Sequence, residues 1–162
     1  MLKDFFKKYK FNLDIWAIIL ITIILIPNFI WTVLPPQNDV LRVESITKVL
    51  DIITMIFQIL MIATLSLLKH EKAAKIAFTP LIIITLVMVI IYFVSWITYY
   101  LGVFNLIILL GLTFCPCIAF ILAAIDRKNV IALIFSALFT VGHLIFAIAN
   151  FYCIVIPSGC VY

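Results

Sequence analysis

The chain has 162 residues, 67% of them apolar and only 11% charged, with a net charge of +4 and a mean hydropathy of +1.36. A soluble fold of this composition would lack the polar side chains to cover its surface, which excludes the ordinary globular classes. The positive balance does not point to nucleic acid either, because the basic residues flank apolar runs instead of forming a stripe.

The charges fall in short islands. Residues 76–125 contain no Asp, Glu, Lys or Arg, and about 20 apolar residues suffice for one membrane-spanning helix. That gap holds two spans joined by an uncharged turn. The gaps at 15–38 and 129–162 hold one span each, and 52–68 holds most of another. The expected fold is all-α: a polytopic transmembrane bundle of five helices in the lipid bilayer, forming a single domain over 1–162.

Ahead of the first span, Leu2, Phe5, Phe6, Tyr9 and Leu13 share one helical face while Lys3, Lys7, Lys8 and Lys10 lie elsewhere. This pattern predicts a short N-terminal interfacial helix on anionic lipid; a frayed basic tail is the alternative. The first apolar run is too long for a signal peptide, contains Pro27, Asn28 and Trp31, and has no small-x-small cleavage site, so it reads as a retained helix.

Span one covers 14–34, with Asp14 as N-cap and a kink expected at Pro27. Pro35 and Pro36 open the next loop. Span two covers 46–68 and span three 77–100. Gly102 marks a turn over 101–105. Span four, at 106–125, carries Pro116, and span five covers 130–156.

All but Arg42 and Lys48 of the 11 Lys and Arg residues precede span one, lie between spans two and three, or lie between spans four and five. By the positive-inside rule the N-terminus is cytoplasmic and the C-terminus extracellular, in a cell membrane.

Two kinds of helix face carry information. In lipid, helices associate through small residues and interhelical hydrogen bonds. Gly111, Cys115, Ala119 and Ala123 recur every four residues and form one packing ridge on span four. The second kind is polar. Span five places Ala132, Ser136, Thr140, His143, Ala147 and Asn150 on one face. His143 lies near the midplane, where an ionisable side chain marks either a functional site or a neutral imidazole bonded to a neighbouring helix.

Thr47, Asp51, Thr54 and Gln58 line a stripe on span two. Tyr92, Ser95, Trp96 and Tyr99 line one on span three, and Asn28 and Trp31 sit at similar depth on span one. One reading is an aromatic belt with interhelical hydrogen bonds. The other is a ligand-binding cavity open to the outside, formed by Asp51, Gln58, Tyr92, Trp96 and Asn150 with His143 at its floor.

Cys115-Pro116-Cys117 resembles the Cys-Pro-Cys of metal-transporting P-type ATPases over three residues, without the ATPase domains. A redox or metal role would use Cys115, Cys117 and His143; apolar packing is the alternative. Cys153 and Cys160 could form an external disulfide. Nucleophile triads, H-E-x-x-H, paired intramembrane carboxylates and glycine-rich phosphate loops are all missing. The expectation is no catalytic residue, no cofactor and no metal.

Taken whole, the chain resembles the small, Ile- and Lys-rich, uncharacterised integral membrane proteins of low-GC Gram-positive bacteria. The resemblance rests on Trp31 with Pro35-Pro36-Gln37-Asn38-Asp39, on Tyr92-Phe93-Val94-Ser95-Trp96, and on Ile125-Asp126-Arg127-Lys128-Asn129. It implies no activity. The expected function is non-enzymatic binding of a peptide, a lipid or a membrane protein in the outer half, as an immunity, sensor or accessory subunit. A small transporter or substrate-binding component of a larger complex is the first alternative, and a redox or metal-binding membrane protein the second.

Overall fold

A backbone surrounded by lipid must satisfy its own hydrogen bonds, and each long apolar gap accordingly becomes a helix. The computed structural model describes residues 7–73 and 78–156. Its helices are α1 (Ile15–Val33), α2 (Lys48–Leu67), α3 (Pro80–Tyr100), α4 (Leu106–Asp126) and α5 (Val130–Val155). All five are long and apolar enough to cross a membrane. The chain is a multi-pass integral membrane protein with an all-α bundle.

Side chains start four of the helices. Asp14 Oδ1 accepts from the Ala17 N–H at 3.3 Å, and Thr79, Asn105 and Asn129 cap α3, α4 and α5 in the same way. Each cap satisfies a first-turn N–H that has no intrahelical partner. Pro27 and Pro116 both lie inside continuous helices. At the end of α3, Gly102 has φ +86. Its N–H bonds to Tyr99 O and that of Val103 to Thr98 O, the paired bonds of a Schellman stop. The end of α4 repeats this geometry with Lys128, φ 54, in the glycine position.

α4 is the most enclosed helix. It lies between α3 and α5, α2 packs along α5, and α1 touches α2 and α3 more lightly to close the ring. Gly111, Cys115, Ala119 and Ala123 are all buried. A Cβ on Gly111 would stand 1.9 Å from Ser95 Oγ of α3, so these two helices approach almost to backbone contact.

The N-terminal segment departs from expectation. Tyr9–Phe11 forms β1, antiparallel to β2 (Leu68–His70), with Tyr9 opposite His70. The N–H groups of Asn12 and Asp14 then bond to Leu67 O and Ser66 O. A segment this short gains little from helix nucleation, and the chain leaving α2 offers it a backbone partner. An interfacial helix is therefore ruled out at Tyr9–Phe11; its expected first residues, 1–6, lie outside the described part.

Candidate functional site

α2 and α5 run antiparallel, and two contacts set their register. Asn150 Nδ2 donates to Thr47 Oγ1 at 3.0 Å. About two turns further in, a Cβ on Gly142 would meet Thr54 Oγ1 at 2.2 Å. Between and beyond these rungs Asp51 falls level with Phe146, and Gln58 with Phe139. The loosely packed α1 contributes Asn28 from the side.

These elements line an open cavity of about 380 Å³. Asp51, Thr54, Met55 and Gln58 line it from α2, and Phe139, His143 and Phe146 from α5. The three rings of α5 form a parallel ladder, with centroids 5.1 Å and 6.2 Å apart. Met55 is 52% exposed on the outer surface of the bundle, so the cavity opens sideways at its rim. Further along the same two helices Met61, Leu65, Ala132 and Ser136 are buried.

The polar groups of this cavity are sparsely satisfied by the protein. Thr47 Oγ1 donates to Asp51 Oδ1 at 2.8 Å. Gln58 and His143 make no hydrogen bond among the described residues. Asn28 uses its amide nitrogen on Ile24 O and on Tyr92 Oη, 2.8 Å away. The Thr54 hydroxyl is buried against Gly142 and has no hydrogen-bond partner among the described residues. Polar side chains at this depth are costly unless a polar partner reaches them.

Of the six residues expected to converge, Asp51, Gln58 and His143 line this cavity. The other three do not. Tyr92 is buried between α1 and α3, where its hydroxyl donates to Ile24 O and accepts from Asn28; it holds the Asn28 wall in place. Trp96 belongs to an aromatic cluster with Trp31, Tyr92, Tyr99 and Tyr100. Asn150 ties the start of α2 to α5 by accepting from Ile46 N and donating to Thr47. For Tyr92 and Trp96 the physical reason is rotation, which turns them toward Asn28 and Trp31 of α1; Asn150 lies on the α2–α5 seam but is engaged at the start of α2.

Asn28, Thr54, Phe139 and Phe146 were not assigned to the site from sequence. Phe139 and Phe146 flank His143 at i−4 and i+3, a spacing that places all three on one helical face. That spacing was the available signal.

The end of the bundle that holds the N-terminal segment carries a second polar cluster, which the sequence reading missed. Arg127 Nε donates to Asp14 Oδ2 at 2.7 Å, with both side chains 4% exposed. Asp126 accepts from Thr79 Oγ1. Asn129 Nδ2 donates to Thr64 O and Leu68 O. These bonds knit the starts of α1, α3 and α5 to the ends of α2 and α4. The opposite end has its own tie, where Asp39 accepts from Trp31 Nε1 and Tyr99 Oη and pairs with Arg42.

Cys115 and Cys117 are buried free thiols. Among the described residues no three His, Cys, Asp or Glu side chains gather where they could hold a metal ion. The pairing that Cys153 could form with Cys160 falls on a residue, Cys160, outside the described part. Comparison with protein-family models, curated proteins and solved structures finds no match.

Proposed function

We propose that this is a non-enzymatic membrane protein that binds a ligand in the cavity between α1, α2 and α5. The observation that carries this reading is the meeting of Asp51, Gln58 and His143 in one cavity, with hydrogen-bonding capacity that the protein itself leaves unused. The distribution of basic residues supports an N-terminus in the cytoplasm, which would open the cavity near the external surface. A binding site without catalytic groups suits an immunity, sensor or accessory subunit.

The test is site-directed labelling. In a chain whose four native cysteines are replaced by Ala, Gln58→Cys and His143→Cys should react with a membrane-impermeant thiol reagent added outside intact cells. Tyr92→Cys should stay unlabelled, because that position is 2% exposed. Silence at both cavity positions, with ready labelling of Asn38→Cys in the loop, would sink the reading.

A further inference from the structure

The charges at the Asp51 end of the bundle do not balance locally. That end holds Asp39, Glu44 and Asp51 against Arg42 and Lys48. Arg42 Nε pairs with Asp39 Oδ2 at 2.8 Å, and Lys48 Nζ pairs with Glu44 Oε1. Asp51 has no cationic partner among the described residues; its carboxylate accepts from the Thr47 hydroxyl alone. It lies in the first turn of α2, the end of a helix whose dipole is complementary to negative charge. The cavity thus has a carboxylate at its mouth and no cationic side chain on its walls.

The shape of the cavity selects the kind of cation. Asp51 and Gln58 stand two turns apart on α2, about 10 Å along its axis. A bare metal ion needs oxygen ligands within about 2.6 Å, so these two side chains cannot share one. An organic cation can span them. The wall opposite α2 is the ring ladder of Phe139, His143 and Phe146, an apolar surface on which the methyl or methylene groups of an organic cation can pack. At the floor Gln58 offers both donor and acceptor atoms, and Asn28, its nitrogen already engaged, keeps its carbonyl oxygen as an acceptor.

We propose that the cavity binds an organic ammonium group, with its charge against Asp51 and its polar tail directed to Gln58. This rests on the reading of the cavity as a binding site and adds the chemical class of the ligand. The group could belong to a free amine entering from water or to an amine-bearing lipid headgroup entering sideways past Met55. The chemistry is the same in both cases.

The experiment compares choline with its uncharged carbon isostere, 3,3-dimethylbutan-1-ol, by thermal unfolding of the whole protein in phosphatidylglycerol nanodiscs. Choline should raise the Tm by an amount that grows with the logarithm of its concentration. The isostere should not, nor should sodium chloride at equal ionic strength. Asp51→Asn, which keeps the side-chain shape, should abolish the choline shift. If that variant does not fold, the choline–isostere contrast on the natural sequence still decides the matter.

Repeating the measurement in phosphatidylethanolamine nanodiscs separates the sources. A choline shift that survives there identifies a free amine. A shift that vanishes, with the protein already stabilised relative to phosphatidylglycerol in an Asp51-dependent way, identifies the headgroup. Equal shifts from choline and the isostere, a shift indifferent to Asp51→Asn, or no ammonium-dependent stabilisation in either lipid would overturn the proposal. If Gln58→Cys still labels from outside in that event, the binding cavity stands and only its ligand class falls.

Discussion

At the scale of single residues, ion pairs of one chemical type differ sharply in weight. Glu44 and Lys48 are 83% and 69% exposed, one turn apart on the surface. Such pairs contribute about 0–1 kcal/mol, because water and salt screen them. Asp14 and Arg127 are each 4% exposed and join the start of α1 to the end of α4 across the whole chain. Removing one partner of a buried pair leaves the other charge unpaired and typically costs about 3–5 kcal/mol. Arg127→Met should therefore lower stability by that order in detergent unfolding, while Lys48→Met changes it by less than about 1 kcal/mol. Equal stability of the two variants would mean that the buried pair contributes nothing. The sequence displayed Arg127 as one basic residue in a charged turn. Nothing in its spacing revealed a partner 113 positions away.

At the scale of elements, contact between helices depends on small residues more than on apolar character, since lipid tails are as apolar as leucine. The ridge on α4 was legible because Gly111, Cys115, Ala119 and Ala123 recur with the helical period; Ala119 and Ala123 are 0% and 1% exposed. Which helix it faces was not legible. Ser95, itself bonded to Ile91 O, lies over Gly111. A new methyl at Gly111 would meet both its Oγ and its Cβ, the latter at 2.8 Å, so the backbones would have to separate. Gly111→Ala is expected to destabilise the fold by about 1–3 kcal/mol through overpacking. Adding Ser95→Gly should restore most of that loss, since the two residues are coupled. Leu110→Ala, on the half-exposed face of the same helix, should cost less. A Gly111→Ala protein as stable as the unaltered chain would remove the close α3–α4 contact from consideration.

At the scale of the whole molecule, the two ends of the bundle are tied by different chemistry. One end joins β1, β2 and the Asp14–Arg127 pair; the other joins Asp39, Trp31, Arg42 and Tyr99. Most of the lysines lie at the first end, and the orientation we propose from the positive-inside rule puts that end in the cytoplasm. A reporter active only in the cytoplasm should then work when fused after Lys72 and be silent when fused after Tyr162. Activity at Tyr162 would reverse the orientation and move the cavity mouth to the other side of the membrane.

Composition and charge spacing were enough to determine five helices, their approximate limits, the Asp14 cap and the Gly102 turn. These depend on the chain and the solvent around it: a span of fixed thickness, and backbone groups that must be bonded locally. Periodicity further placed Asp51, Gln58 and His143 on polar faces. The tertiary structure alone decided which faces meet. It turned Tyr92 and Trp96 toward α1, set Asn150 to clamp the start of α2, brought Asn28, Phe139 and Phe146 to the cavity, and paired the N-terminal strand with the chain after α2. A helix carries its stripe in its own sequence, but its rotation about its axis is set by the shapes of its neighbours, here the close contacts at Gly111 and Gly142.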